Sequence, residues 1–233
     1  MPGSPKDAPR YIAIDGPVAS GKSAVGSRVA RQLGYRFVDT GSMYRAITWL
    51  ALERGIDLHD EAALTQLGER AQLTLAPGTG DEPESTRVLL DGVDVTDRLR
   101  SAEVGEAVSL VSRVPGVRKA MVALQRQLAA KGGVVMAGRD IGTVVLPDAP
   151  LKVYLDASPE ERIRRRHEEL LAGGREETPE QVRQELALRD AIDSEREISP
   201  LRPAEDAIII DTDPLTLDEV VERIMELVAK CRS

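Results

Sequence analysis

Gly16-Pro17-Val18-Ala19-Ser20-Gly21-Lys22-Ser23 follows the apolar run Tyr11-Ile12-Ala13-Ile14-Asp15 and precedes the helically spaced stretch Ser23 to Leu33, which stops at Gly34. The octapeptide matches G-x-x-x-x-G-K-[ST], the phosphate loop of nucleoside triphosphate-binding proteins. A strand before it and a helix after it supply the context that such a loop requires. Glycines let the backbone wrap closely around phosphate, so that successive N–H groups point inward. The following helix N-terminus adds its dipole. Lys22 can reach the β- and γ-phosphates, and Ser23 can ligate Mg²⁺. A nucleoside triphosphate is therefore expected on Gly16 to Ala24, with Ser23 and, through water, Asp39 as the metal-side groups.

The same alternation continues outward. Arg36 to Asp39 reads as a second strand, Ser42 to Arg54 as a helix, and Asp60 to Gln72 as another. Leu73 to Val95 breaks the pattern with Pro77, Gly78, Gly80, Pro83 and an Asp91-Gly92 turn between β-formers. That reads as a small antiparallel insert. Helical spacing returns over Ala102 to Ser112, and Pro115 opens a long helix ending at Gly132-Gly133. Val134 to Ala137, Leu151 to Leu155 and Ala207 to Asp211 are further apolar strands. Ser158, Thr178 and Thr216 each stand three residues before Glu161, Gln181 and Glu219, a capping-box spacing. Five apolar strands alternating with helices predict a parallel sheet covered on both faces, an α/β fold. The expected organisation is a flexible tail over 1–9, a phosphate-loop core over 10–72 and 97–233 with a short helical lid at about 159–178, and the insert at 73–96.

Composition narrows the function. The 233 residues are 42% hydrophobic and 30% charged, with a net charge of −8. The acidic balance argues against sequence-independent binding of nucleic acid. No apolar run of membrane-spanning length occurs, and the polar first nine residues lack the core of a signal peptide. With one cysteine and two histidines, Cys231, His59 and His167, neither a disulfide nor a cysteine- or histidine-based metal site is expected. An N-K-x-D base-reading motif is absent, as is a strand ending in Asp-Glu, so neither a switch GTPase nor a motor ATPase is indicated.

Arginines stand where loops follow strands. Arg45 lies in the helix after the second strand, and Arg139 directly follows the third. Arg189, Asp193 and Arg196 are spaced i, i+4, i+7 and are expected on one helix face. Ligands of such sheets bind at the carboxyl ends of the strands, where these arginines would clamp a second phosphate. Arg162, Arg165 and Arg166 lead into Gly173-Gly174 and suit a closing lid, or else form a solvated face balanced by Glu160, Glu161, Glu168 and Glu169.

The chain resembles the bacterial cytidylate kinases, a family of P-loop nucleoside monophosphate kinases, along nearly its whole length after residue 9. The resemblance rests on Ile14 through the phosphate loop, Asp39-Thr40-Gly41-Ser42-Met43-Tyr44-Arg45, Gly138-Arg139-Asp140-Ile141-Gly142-Thr143-Val144-Val145, Pro147-Asp148-Ala149-Pro150, and Arg189-Asp190 through Asp193-Ser194 to Ser199-Pro200-Leu201. It implies transfer of the ATP γ-phosphoryl group to CMP or dCMP with Mg²⁺. It also implies a cytoplasmic monomer acting on small nucleotides. The acceptor phosphate would meet Arg45, Arg139 and Arg189, with Thr40 and Tyr44 lining the pocket. Ser109, Arg118 and Asp140 would read cytosine, and Asp193 the ribose, with Arg196 beside it. Lys22, Arg139, Arg189 and the lid arginines Arg162, Arg165 and Arg166 would carry catalysis. Ala137 stands where similar sequences have an acid before Gly-Arg-Asp, which implies weaker discrimination between cytosine and uracil nucleotides. The competing readings are a kinase for another monophosphate such as UMP or dTMP, a non-catalytic nucleotide-binding regulator, and an RNA-associated protein, the last disfavoured by 3% aromatic content.

Overall fold

The computed structural model describes residues 8–77, 86–196 and 198–231. Most of the expected tail, and residues 78–85 of the insert, lie outside them.

Five strands form one parallel sheet: β1 (Tyr11–Asp15), β2 (Arg36–Asp39), β6 (Val134–Gly138), β7 (Leu151–Asp156) and β8 (Ile208–Asp211), in the order β2-β6-β1-β7-β8. Three more, β3 (Leu73–Pro77), β4 (Thr86–Leu90) and β5 (Val93–Asp94), form the expected antiparallel sheet. Asp91 and Gly92 turn between β4 and β5 with φ of 51° and 80°, the left-handed pair that a tight hairpin requires.

Strand alternation divides the core. Ala13, Val38, Val134 and Met136 join a cluster built with α2 (Thr40–Glu53), α3 (Glu61–Arg70), α4 (Ala102–Arg113) and α5 (Pro115–Ala129). Ile12, Ile14, Val135, Leu151, Val153 and Leu155 face α1 (Lys22–Leu33) and α8 (Leu217–Lys230) on the other side. A third, small cluster of Ile163, Leu170, Val182 and Leu186 packs α6 (Pro159–Ala172) on α7 (Pro179–Glu195), with Val18 of the phosphate loop against it.

Local chemistry shifts some expected boundaries. Helix α2 begins at Thr40 rather than Ser42, because the Asp39 carboxylate accepts from Gly41 N at 2.9 Å and caps it. Asp60 caps α3 and is not part of it. Thr178 and Thr216 make full reciprocal capping boxes. Ser158 makes half of one: its hydroxyl accepts from Glu161 N, but the Glu161 carboxylate holds Arg164 and Arg165 instead. Its own N–H donates to Asp213. The strands are not all covered on both faces. Strand β8 is an edge, with Ile208 and Ile209 41% and 59% exposed.

Candidate active site

The parallel register sets the site. Asp15 pairs with Gly138 and Tyr154, and Asp39 with Ala137. The phosphate loop, the start of α2 and Arg139-Asp140 therefore emerge together at the carboxyl edge of the sheet, the ligand-binding edge of such folds. A cleft of about 1560 Å³ opens there.

On the donor side, Gly16 has no room for a side chain: a Cβ would stand 2.2 Å from the Leu155 carbonyl oxygen. Gly21, at φ 89°, enters α1 with no side-chain cap, so its first amides remain available to phosphate oxygens. Lys22 is buried, and its ammonium donates to the Pro17 carbonyl and to Ser20 Oγ at 3.3 Å. Burial, reinforced by the Arg139 cation, pushes its pKa well below the usual lysine range. Ser23 Oγ donates to Asp39 Oδ2 at 2.7 Å, and both line the cleft. A hydroxyl and a carboxylate side by side suit Mg²⁺, a hard cation that takes a few protein oxygens and completes its shell with phosphate and water. Among the described residues no cluster of three or more His, Cys, Asp or Glu could hold a metal ion by itself. Val18, Ala19, Lys22 and Ser23 line the cleft, whereas Ala24 sits exposed in the first turn of α1.

On the acceptor side, Arg45, Arg139, Arg166 and Arg189 all line the cleft. Burial, with the Arg189 and Arg166 cations behind it, lowers the Arg45 pKa to about 10. Burial and then Arg139 lower that of Arg189. An anion bound among these arginines would offset that penalty. Arg139 Nε donates to Asp193 Oδ2 at 2.9 Å, and Arg196 lies 3.6 Å from the other Asp193 oxygen. Helix α7 ends at Glu195, so Arg196 is on the extended residue beyond it rather than on the shared face expected from spacing. Its Nε donates to Ser199 O at 2.6 Å, and it lines the cleft.

Deeper in the same cleft Arg118 donates to the Asp140 carboxylate, both side chains being under a tenth exposed. Arg118 also donates to Ser112 O at 3.3 Å and lies 5.5 Å from the centre of the Tyr44 ring. Burial raises the Tyr44 hydroxyl to about 12. Ser109 and Thr40 complete the wall, with Thr40 Oγ1 donating to Ala137 O at 2.9 Å. The Ala137 side chain belongs to the α1-side cluster with Ile14 and Val25, across the sheet from the cluster that holds Tyr44 and Val108. Ala137 also lines the cleft that holds Arg118 and Asp140, so an acid there would add a carboxylate on the α1 side of the sheet.

The lid arginines divide. Arg166 reaches the cleft. Arg165 does not: it donates to Glu161 and to Thr212 Oγ1 and O, each at 2.8 to 2.9 Å. Arg162 pairs with Asp190 at 2.7 Å and reaches the Val18 carbonyl at 3.5 Å. It links the phosphate loop to α7.

The sequence reading gave no site role to Asp15 or to Thr96 through Ser101. Asp15 is buried and accepts from Ile141 N at 2.8 Å and Gly142 N at 2.7 Å. It ties the residue before the phosphate loop to the turn that follows Arg139-Asp140. Burial raises its pKa from 3.8 to about 6, against those two hydrogen bonds. An acid ending an apolar strand was the available signal. Arg175 lines the cleft from the Gly173-Gly174 loop, and residues Thr96 to Ser101 line it from the side of the insert.

The cytidylate kinase family matches residues 12–230. A cytidylate kinase of Geobacillus kaustophilus is 55% identical over 93% of this chain and 95% of its own. One of Bacillus licheniformis is 52% identical over 94% and 96%. A bifunctional pantoate ligase/cytidylate kinase of Synechococcus is 53% identical over 97% of this chain, which spans 42% of that longer protein. Among solved structures, an uncharacterized protein from Eubacterium ventriosum superposes with a TM-score of 0.52 at 12% identity, over 94% of this chain and 98% of its own, a likeness of fold alone. The chain belongs to the cytidylate kinase family, a family of nucleoside monophosphate kinases.

Proposed function

We propose that the chain transfers the γ-phosphoryl group of ATP to CMP or dCMP, giving ADP and CDP or dCDP. The observation that carries the reading is one cleft with two ends: an uncapped phosphate-loop helix with Lys22, and four arginines leading to the buried Arg118–Asp140 pair. The cytosine amino group and its acceptor atoms suit an acid and an arginine, respectively. Asp193, held between Arg139 and Arg196, is assigned to the ribose hydroxyls.

The nucleophile is an oxygen of the acceptor phosphate. With a second pKa near 6 it is largely dianionic at pH 7, so no protein base is required. Its new bond to the γ-phosphorus forms as the bond to the β,γ-bridging oxygen breaks, and ADP leaves. Lys22, Arg45, Arg139 and Arg189 hold donor and acceptor in line and offset the charge that builds between them. Ser23 and Asp39 would hold Mg²⁺, which would supply further charge neutralisation. Arg166 closes the site from α6, and excluding water there prevents wasteful hydrolysis. The organisation proposed is a core, an insert at 73–96 and a lid at about 159–178 that includes α6. The setting proposed is a cytoplasmic monomer acting on free nucleotides.

Arg139→Ala and Arg189→Ala test the clamp. Turnover of CMP should fall by roughly a hundredfold or more while ATP affinity changes only a few-fold. Near-normal turnover in both variants would refute the assignment.

A further inference from the structure

We propose that Glu185 is a positioning residue for phosphoryl transfer, bracing Arg166 of α6 and Arg189 of α7 from behind so that both guanidinium groups face the cleft. One carboxylate oxygen, Glu185 Oε1, lies 3.1 Å from Arg189 Nη1 and 3.6 Å from Arg166 Nη2. The two arginine side chains are 12% and 11% exposed and line the cleft; Glu185 stands outside its lining.

The electrostatics give the carboxylate its task. Two cations held together in poorly solvated space repel, and Arg166 is among the charges that depress the pKa of both Arg45 and Arg189. Glu185 opposes that repulsion for Arg189. Two further acids face Arg166: Glu169, 2.9 Å away but 69% exposed, an ion pair that holds little, and Glu177, whose carboxyl is itself paired with Arg175. The brace also has a rigid mount. Its neighbour Leu186, with Val182, packs against Ile163 and Leu170 of α6, so the carboxylate is held where the two helices already meet. Further along α7, Asp190 holds Arg162 and Asp193 holds Arg139. The helix thus carries three acids, Glu185, Asp190 and Asp193, that pair with Arg166 and Arg189, with Arg162 and with Arg139.

This inference rests on the kinase reading above. Its signature is a split. Glu185→Gln removes a negative charge, which strengthens the pull of the cleft on anions, while the arginines lose their alignment. With ATP, Mg²⁺ and CMP, kcat should fall about tenfold while KM for CMP stays constant or drops. The loss should be smaller in an Arg166→Ala background, where one of the two braced groups is gone. Inorganic tripolyphosphate, titrated calorimetrically, should bind the variant at least as tightly as the wild type. A kcat within twofold of wild type or above it, an undiminished loss in the Arg166→Ala background, or weaker tripolyphosphate binding would overturn the proposal. Wild-type turnover of CMP tests the kinase reading separately, because only the variant-to-wild-type ratios and the tripolyphosphate titration bear on Glu185.

Discussion

Arg118→Met separates what holds the site together from what the site recognises. In the folded chain the Arg118 and Asp140 side chains are 3% and 7% exposed, so their ion pair is almost fully desolvated. Methionine fills much of the volume and leaves Asp140 without its cation. Removing one partner of a buried pair costs about 3 to 5 kcal/mol. For a chain of this size each kcal/mol moves Tm by about 2 to 4 °C, so the midpoint should fall by roughly 6 to 20 °C. Replacing both partners, as Arg118→Met with Asp140→Leu, removes the stranded charge and should recover most of the loss. Activity should not return with stability: both variants should lose at least about a hundredfold in kcat/KM for CMP, since the groups assigned to the base are gone. Trp49 is the only tryptophan and reports unfolding; coupled ADP release reports turnover. A single variant melting within about 2 °C of wild type, or a double variant no more stable than the single, would refute the reasoning.

Two further outcomes follow from the same geometry. Asp15 titrates near 6 in the fold against an ordinary 3.8, so the folded chain holds this proton more tightly than the unfolded one. The associated stability is complete below about pH 4 and is lost as pH rises through 6, amounting to about 3 kcal/mol by pH 7. Relative to Asp15→Asn, wild type should therefore lose about that much between pH 4 and 7, read from urea midpoints; a pH-independent difference would contradict it. Arg165→Ala should leave kcat within about threefold of wild type, because that side chain is spent on Glu161 and Thr212. Arg166→Ala should cost about a hundredfold, and equal losses in the two variants would contradict the division drawn between them.

Much of this was legible in the sequence because it is local. The phosphate loop, the strand alternation, the Asp91-Gly92 hairpin and the Thr178 and Thr216 capping boxes each depend on residues within a few positions of one another. What was not legible depends on distant partners. Asp15 takes its meaning from amides 126 and 127 residues away. Helical spacing groups Arg162, Arg165 and Arg166, but only Thr212, 47 residues on, shows that Arg165 is turned from the cleft. Helical spacing runs on from Arg189 and Asp193 to Arg196, whereas the helix ends at Glu195 and Arg196 bonds to Ser199 beyond it. The exposed face of β8 reflects its place at the sheet edge, which apolar composition does not encode.

The central claim is that one cleft holds ATP on the phosphate loop and a cytosine monophosphate on the arginines and the Arg118–Asp140 pair. The most direct test is ADP release with ATP and Mg²⁺, comparing CMP, dCMP, UMP, dTMP, AMP and GMP with a no-acceptor control. Turnover with CMP and dCMP far above every other acceptor is the predicted result. Comparable turnover with UMP or a purine nucleotide, or ADP release independent of any acceptor, would contradict the account.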